Sequence, residues 1–170
     1  MTRDQRVVAL GAASGVIAML ASVTAIFRFW PVDPGLTDSG ARIAYTLQAD
    51  VFAALPLLIG VMAVGNNRFF SEAIDPTLQK EDPATQINGR VVENTQQQFL
   101  LFLVGTLALS TRLAADQMRV IPAAAIVFVA ARILFWIGYR IHPLYRAFGM
   151  AATGYLNVGI IGFALWGVLR

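Results

Sequence analysis

The sequence predicts an all-α integral membrane protein. Three observations carry that prediction. Five apolar stretches have helical length, only 14% of the 170 residues are charged, and 57% are hydrophobic. Soluble domains carry about a quarter charged residues. The third observation is Arg132, set between apolar residues 120–131 and 133–139. A cation at that depth requires a partner or a protein interior.

A membrane-crossing helix needs about 20 mainly apolar residues. The first stretch, residues 7–27, is uncharged and lies between Arg6 and Arg28. It is longer than the apolar core of a secretory signal and precedes no small-residue cleavage pattern, so it reads as an anchor. The second, residues 43–65, holds Asp50 near its start and Pro56 inside, where the missing amide donor predicts a kink. Asp50 reads as an interfacial carboxylate or as one facing another helix.

Residues 66–89 contain Pro76, Pro83, Asp75, Glu81 and Asp82 and read as a loop. The third span runs over residues 88–111, with polar first turns and an apolar remainder. The fourth covers 120–139 and the fifth 147–169. With the N-terminus inside, the inner segments carry Arg3, Arg6, Arg68, Lys80, Arg90, Arg140 and Arg146. The outer ones carry Arg28, Arg42, Arg112, Arg119 and Arg170, a small positive-inside bias.

Several function classes are excluded early. There is no cysteine, and the one histidine, His142, cannot build a histidine-rich metal site. The net charge of +3 is scattered, unlike the basic patch of a nucleic-acid binder. No repeat in matching halves suggests a transporter.

Residues three, four and seven apart share a helix face. Arg90, Asn94 and Gln97 obey that spacing, with Glu93 beside them; so do Arg132, Phe135 and Tyr139. Two such stripes can flank a cleft of guanidinium, amide and phenol donors suited to a carboxylate-bearing, peptide-like anion. The plainer alternatives are that Arg90, Glu93 and Gln98 solvate a helix start, and that Arg132 pairs with Glu93 or Asp50 inside the bundle. Tyr139 also suits an interfacial aromatic belt.

The segment Arg90-Val-Val-Glu-Asn-Thr-Gln-Gln-Gln resembles the Arg-x-x-x-Asn-x-x-Glu signature of the MAPEG family, the membrane-associated proteins in eicosanoid and glutathione metabolism. The segment from Arg132 through Tyr139 to Arg146 is similar to that family's Arg-x-x-Tyr-x-x-Gly-Tyr stretch, with an arginine seven residues later. Asn66-Asn-Arg68-Phe-Phe resembles the basic end of its first helix. The likeness covers residues 43–170, leaving residues 1–42 as an additional N-terminal transmembrane helix and linker.

The resemblance implies a four-helix core, a homotrimer, and glutathione bound between adjacent subunits as co-substrate. It implies transfer of glutathione to lipophilic electrophiles or reduction of lipid hydroperoxides; other members bind lipid without catalysis. It assigns Arg146 to the glutathione thiolate and Arg90, Asn94, Gln97, Arg132 and Tyr139 to the ligand. Arg68 would reach a glutathione carboxylate from a neighbouring subunit.

Two positions depart from the pattern. Gln97 stands where the family has glutamate, a loss of charge assistance worth about 1 kcal/mol. Phe135 stands where the family often has tyrosine, which removes a hydroxyl. Both favour the alternative of a non-catalytic lipid-binding protein, or of an accessory subunit in a larger membrane complex. The arginine-over-lysine bias points to a bacterial inner membrane.

Overall fold

The computed structural model describes residues 1–78 and 80–169. The described residues form an all-α bundle. Its helices are α1 (Arg3–Phe29), α2 (Ser39–Ala53), α3 (Leu55–Phe69), α4 (Pro83–Ser110), α5 (Val120–Ile141) and α6 (Ala147–Val168). Arg170, counted above among the outer charges, lies outside the described residues.

Caps set where the helices begin. Thr2 opens α1 in a reciprocal arrangement with Gln5, each side chain bonding the other's backbone amide. Asp38 opens α2 by accepting from the Ala41 amide at 3.0 Å. Asp82 opens α4, accepting from Thr85 N at 2.6 Å, with Pro83 at the first helical position. This last cap shortens the predicted loop. Helix α3 runs on to Phe69 and α4 starts at Pro83, so only 70–82 connect them, through short 3₁₀ turns at Glu72–Ile74 and Pro76–Leu78. The span expected at 88 therefore begins five residues earlier.

Helices α2 and α3 form one crossing interrupted at Ala54. Pro56 has no amide to donate to the carbonyl four residues back. The rod nevertheless continues, with Ala54 N bonded to Asp50 O at 2.9 Å and Leu58 N to Ala54 O at 3.0 Å. Among the described residues, four segments are long and apolar enough to cross a bilayer: Arg3–Phe29, Ser39–Phe69, Gln117–Ile141 and Pro143–Gly167. Helix α4 is the longest of the described helices, but its first turns are polar and pack inside the bundle through Thr85, Asn88, Val91 and Thr95. Outward-facing Val51, Leu58, Ile59, Val61 and Met62 present hydrocarbon to lipid.

The core joins Phe102, Phe128, Met118, Ile121 and Ala124 with Leu156 and Ile160. Phe102 and Phe128 stack at 4.6 Å between centroids. Helix α1 lies along α6 and α5 and runs parallel to α6, with Gly11 against Ala147 at its start and Phe27 beside Phe163 at its end. One end of the bundle, here called the near end, thus gathers the starts of α1, α4 and α6 and the ends of α3 and α5. A smaller cluster there, Val91, Phe135 and Tyr139 with Ile87 and Trp136, supports the site.

Candidate functional site

Two glycines bring the near-end elements together. A Cβ on Gly149 would lie 2.3 Å from the Ala131 carbonyl oxygen and 2.5 Å from the Phe135 nitrogen. Only glycine lets α6 approach the α5 backbone this closely, which is the familiar use of small residues between membrane helices. A Cβ on Gly138 would lie 2.7 Å from the Tyr145 oxygen. That space lets the 3₁₀ turn Pro143–Arg146 fold back against α5. His142 caps the turn, its Nδ1 accepting from Leu144 N at 3.2 Å.

The fold-back sets Arg146 against Tyr139. Its guanidinium carbon stands 4.9 Å from the Tyr139 ring centroid. From the other side, Arg90 Nη1 donates to the Tyr139 hydroxyl at 3.5 Å, a long bond. These three side chains, with Asn94, Phe135 and Leu144 among others, line a cavity of about 550 Å³. No carboxylate is among its lining residues.

Arg132 lies behind the cavity wall and is 1% exposed. Its Nη2 donates to Asn94 Oδ1 and Thr95 Oγ1, each at 3.0 Å, and its Nη1 to Thr153 Oγ1 at 3.2 Å. Its guanidinium carbon is 4.0 Å from the centroid of the Phe135 ring. All these partners are neutral, and its Nε is buried without a hydrogen bond. The carboxylate pairing considered for it is absent from the structure. Asp50 instead accepts from the Thr106 hydroxyl at 3.0 and 3.2 Å, and Glu93 is exposed.

The structure thus brings together Arg90, Asn94, Tyr139 and Arg146, with Arg132 one layer deeper. It leaves two predicted residues apart. Gln97 is exposed and does not line the cavity. It shares the face of Arg90 and Asn94, but seven residues along a helix is about 10 Å, beyond the cavity floor. Arg68 pairs with Glu81, Nη2 to Oε1 at 2.6 Å, at the end of α3.

Other contributors escaped the sequence reading. Thr95 and Thr153 hold Arg132, and Asn88 accepts from Trp136 Nε1 at 2.9 Å to tie α4 to α5. One signal was available: Gly149, Thr153 and Asn157 recur every four residues in an otherwise apolar α6. Asn157 Nδ2 donates to the backbone and side-chain oxygens of Gln98, each at 2.9 Å, fixing α6 to α4.

Comparison with known proteins agrees with this architecture. The sequence profile of the MAPEG family matches residues 43–166. Transmembrane protein 79 of Mus musculus is 27% identical over 150 residues, covering 85% of this chain and 38% of its own length. Transmembrane protein 79 of Bos taurus is 27% identical over 141 residues, covering 82% and 35%. The chain therefore spans less than two fifths of the length of these relatives. No solved structure matches it. Both relatives are mammalian, which gives the expected bacterial inner membrane no support. The apolar helices and the profile match together make the protein a multi-pass integral membrane protein. By the extent of that match, this chain belongs to the MAPEG family.

Proposed function

We propose that the near-end cavity binds glutathione and holds its thiolate for reaction with a lipophilic electrophile or a lipid hydroperoxide. The observation that carries this reading is the charge balance of the cavity. Arg90 and Arg146 line it, Arg132 lies behind it, and no carboxylate among its lining residues offsets them. Arg146 also stands at the N-cap of α6, where the helix dipole is already positive. A cation in that place is unfavourable until an anion arrives, and backbone amides at a helix start favour the same anion.

The chemistry follows from the thiol. Free thiols ionise near pH 8.5 and only the thiolate is a good nucleophile. Arg146 would stabilise the anion, and a depression of two units corresponds to about 2.7 kcal/mol. The thiolate would then attack an electrophilic carbon, forming the C–S bond as the leaving group departs with its electron pair. With a hydroperoxide it would attack the terminal oxygen, forming an S–O bond as the O–O bond breaks. The alkoxide would take a proton and leave as the lipid alcohol, and a second glutathione would convert the resulting sulfenic acid to the disulfide and water. The acceptor would reach the site from the bilayer, so the protein supplies positioning and activation. In this reading the chain works as a homotrimer, and Arg68 would exchange its pairing with Glu81 for a glutathione carboxylate of a neighbouring subunit.

The test is thiolate absorbance in the ultraviolet on adding glutathione to the purified protein. Arg146→Ala should remove the band while leaving the oligomer intact; an undiminished band ends the assignment. A second reading, a non-catalytic lipid-binding chain or accessory subunit, draws support from Gln97 outside the cavity and from Phe135 without a hydroxyl. Turnover with a chlorinated aromatic or a lipid hydroperoxide separates the two.

A further inference from the structure

We propose that helix α1 forms a wall of the ligand cavity, with Val8 as a specificity-determining residue. This rests on the reading of the cavity as the ligand site. Helix α1 lies outside the residues matched by the family profile, yet Val8 lines the cavity together with Arg90, Tyr139 and Arg146.

The geometry has a simple origin. Val8, Gly11, Gly15 and Met19 recur at intervals of three and four and so share one helix face. Gly15 and Met19 are the buried residues of α1. A Cβ on Gly15 would lie 2.2 Å from the Phe148 carbonyl oxygen, and one on Gly11 3.3 Å from Ala147 Cβ. The seat of α1 is therefore the first turn of α6, immediately after Arg146. Since α1 runs parallel to α6 and Gly11 already meets the first residue of α6, Val8 projects one turn beyond that helix. It stands over the 3₁₀ turn and closes the space that α6 leaves open. The opposite face of α1 is lipid-facing, with Leu10 72% and Ile17 68% exposed.

A wall of this kind decides which ligands enter. Enlarging Val8 narrows the cavity; moving α1 off Phe148 opens it. The position of α1 is also tied to the backbone next to Arg146, so displacing α1 shifts the guanidinium as well.

The absence of cysteine gives a clean test. Leu144→Cys places a reporter thiol in the cavity lining, to be labelled by a bulky anionic maleimide in the full-length protein. Val8→Trp should slow that labelling by about tenfold and weaken glutathione binding by a similar factor, roughly 1.4 kcal/mol. Leu10→Trp, on the lipid face of the same helix, should change neither. Gly15→Leu should accelerate labelling, and Val8→Ala, which leaves the helix seat intact, should do so more mildly. Labelling of Leu144→Cys at the original rate in the Val8→Trp background overturns the wall. So does glutathione affinity unchanged by Val8→Trp. If Val8 controls labelling but the unaltered protein binds no glutathione, the functional reading falls and the wall stands.

Discussion

The two ends of the bundle treat their arginines differently. At the far end, Arg42 donates to the Leu113 carbonyl just beyond α4, and Arg112 to the Gly167 carbonyl in the last turn of α6. Arg119 donates to Asp116 O at 2.8 Å and covers the Phe27 ring at 4.5 Å. At the near end, Arg90 and Arg146 meet the same neutral tyrosine, and Arg132 meets amide, hydroxyl and ring. Helix polarity accounts for part of this. Arg42 and Arg112 reach carbonyls at the far ends of α4 and α6, which attract cations, whereas Arg119 stands at the N-cap of α5 and takes a carbonyl of the preceding loop. At the near rim α4 and α6 begin, so the backbone offers amides, which repel cations and attract anions. At the far end these arginines are taken up by backbone carbonyls, whereas Arg90 and Arg146 line the near-end cavity with only a tyrosine between them.

That contrast can be broken by substitution. The largest effect is expected at Gly149. Gly149→Ala forces a methyl group into the α5 backbone and should cost about 3 kcal/mol through overpacking. Gly162→Ala, further along the same helix with nothing within 4 Å of the added carbon, should be neutral or slightly stabilising. Thermal unfolding in detergent distinguishes them, and equal effects would mean that the close helix contact is misplaced.

Arg132→Leu comes next. It removes a buried charge and leaves Asn94, Thr95 and Thr153 without their shared donor, an expected loss of about 2 kcal/mol. Glutathione affinity should fall with it, because Asn94 lines the cavity. Unaltered affinity and stability would make Arg132 irrelevant to the site.

Arg112→Ala should lower the melting temperature slightly and leave ligand binding untouched, as expected for a cation that only satisfies helix carbonyls. A clear loss of glutathione affinity in this variant would erase the distinction between the rims.

The smallest effect concerns Asp82. Hydrogen bonds from the Thr85 side chain, and then from its backbone amide, hold the Asp82 carboxyl below its ordinary range. The cap's contribution is therefore present above the unfolded carboxyl value and disappears as pH falls through the lowered folded value. Asp82→Ala should cost a small amount of stability near neutral pH, and the difference from the unaltered protein should vanish in strong acid. A difference that persists there would assign the effect to something other than the charged cap.

Much of this was legible in the sequence, for identifiable reasons. Hydrocarbon length located the four apolar crossings among the described residues, because burial in lipid demands continuous apolar residues, and α2 and α3 read as a single stretch. Arg132 stood out because a guanidinium cannot lose its charge. The helix ends were less visible: Asp82 and Pro83, not hydropathy, decide where α4 begins. The partners of Arg132 were misjudged because charge complementarity suggested Asp50 or Glu93, whereas packing supplied Thr95 and Thr153. Gln97 follows the stripe of Arg90 and Asn94 in angle but not in depth, a distinction that spacing alone does not carry. The contribution of Val8 depends on the close seat at Gly15, which only the three-dimensional arrangement reveals.

The most direct measurement is titration calorimetry of glutathione into the unaltered protein and its Arg146→Ala and Arg112→Ala variants. The account predicts binding that Arg146→Ala weakens by about tenfold or more, the value of one charge-assisted hydrogen bond, while Arg112→Ala binds as before. Equal affinity in all three proteins would contradict it.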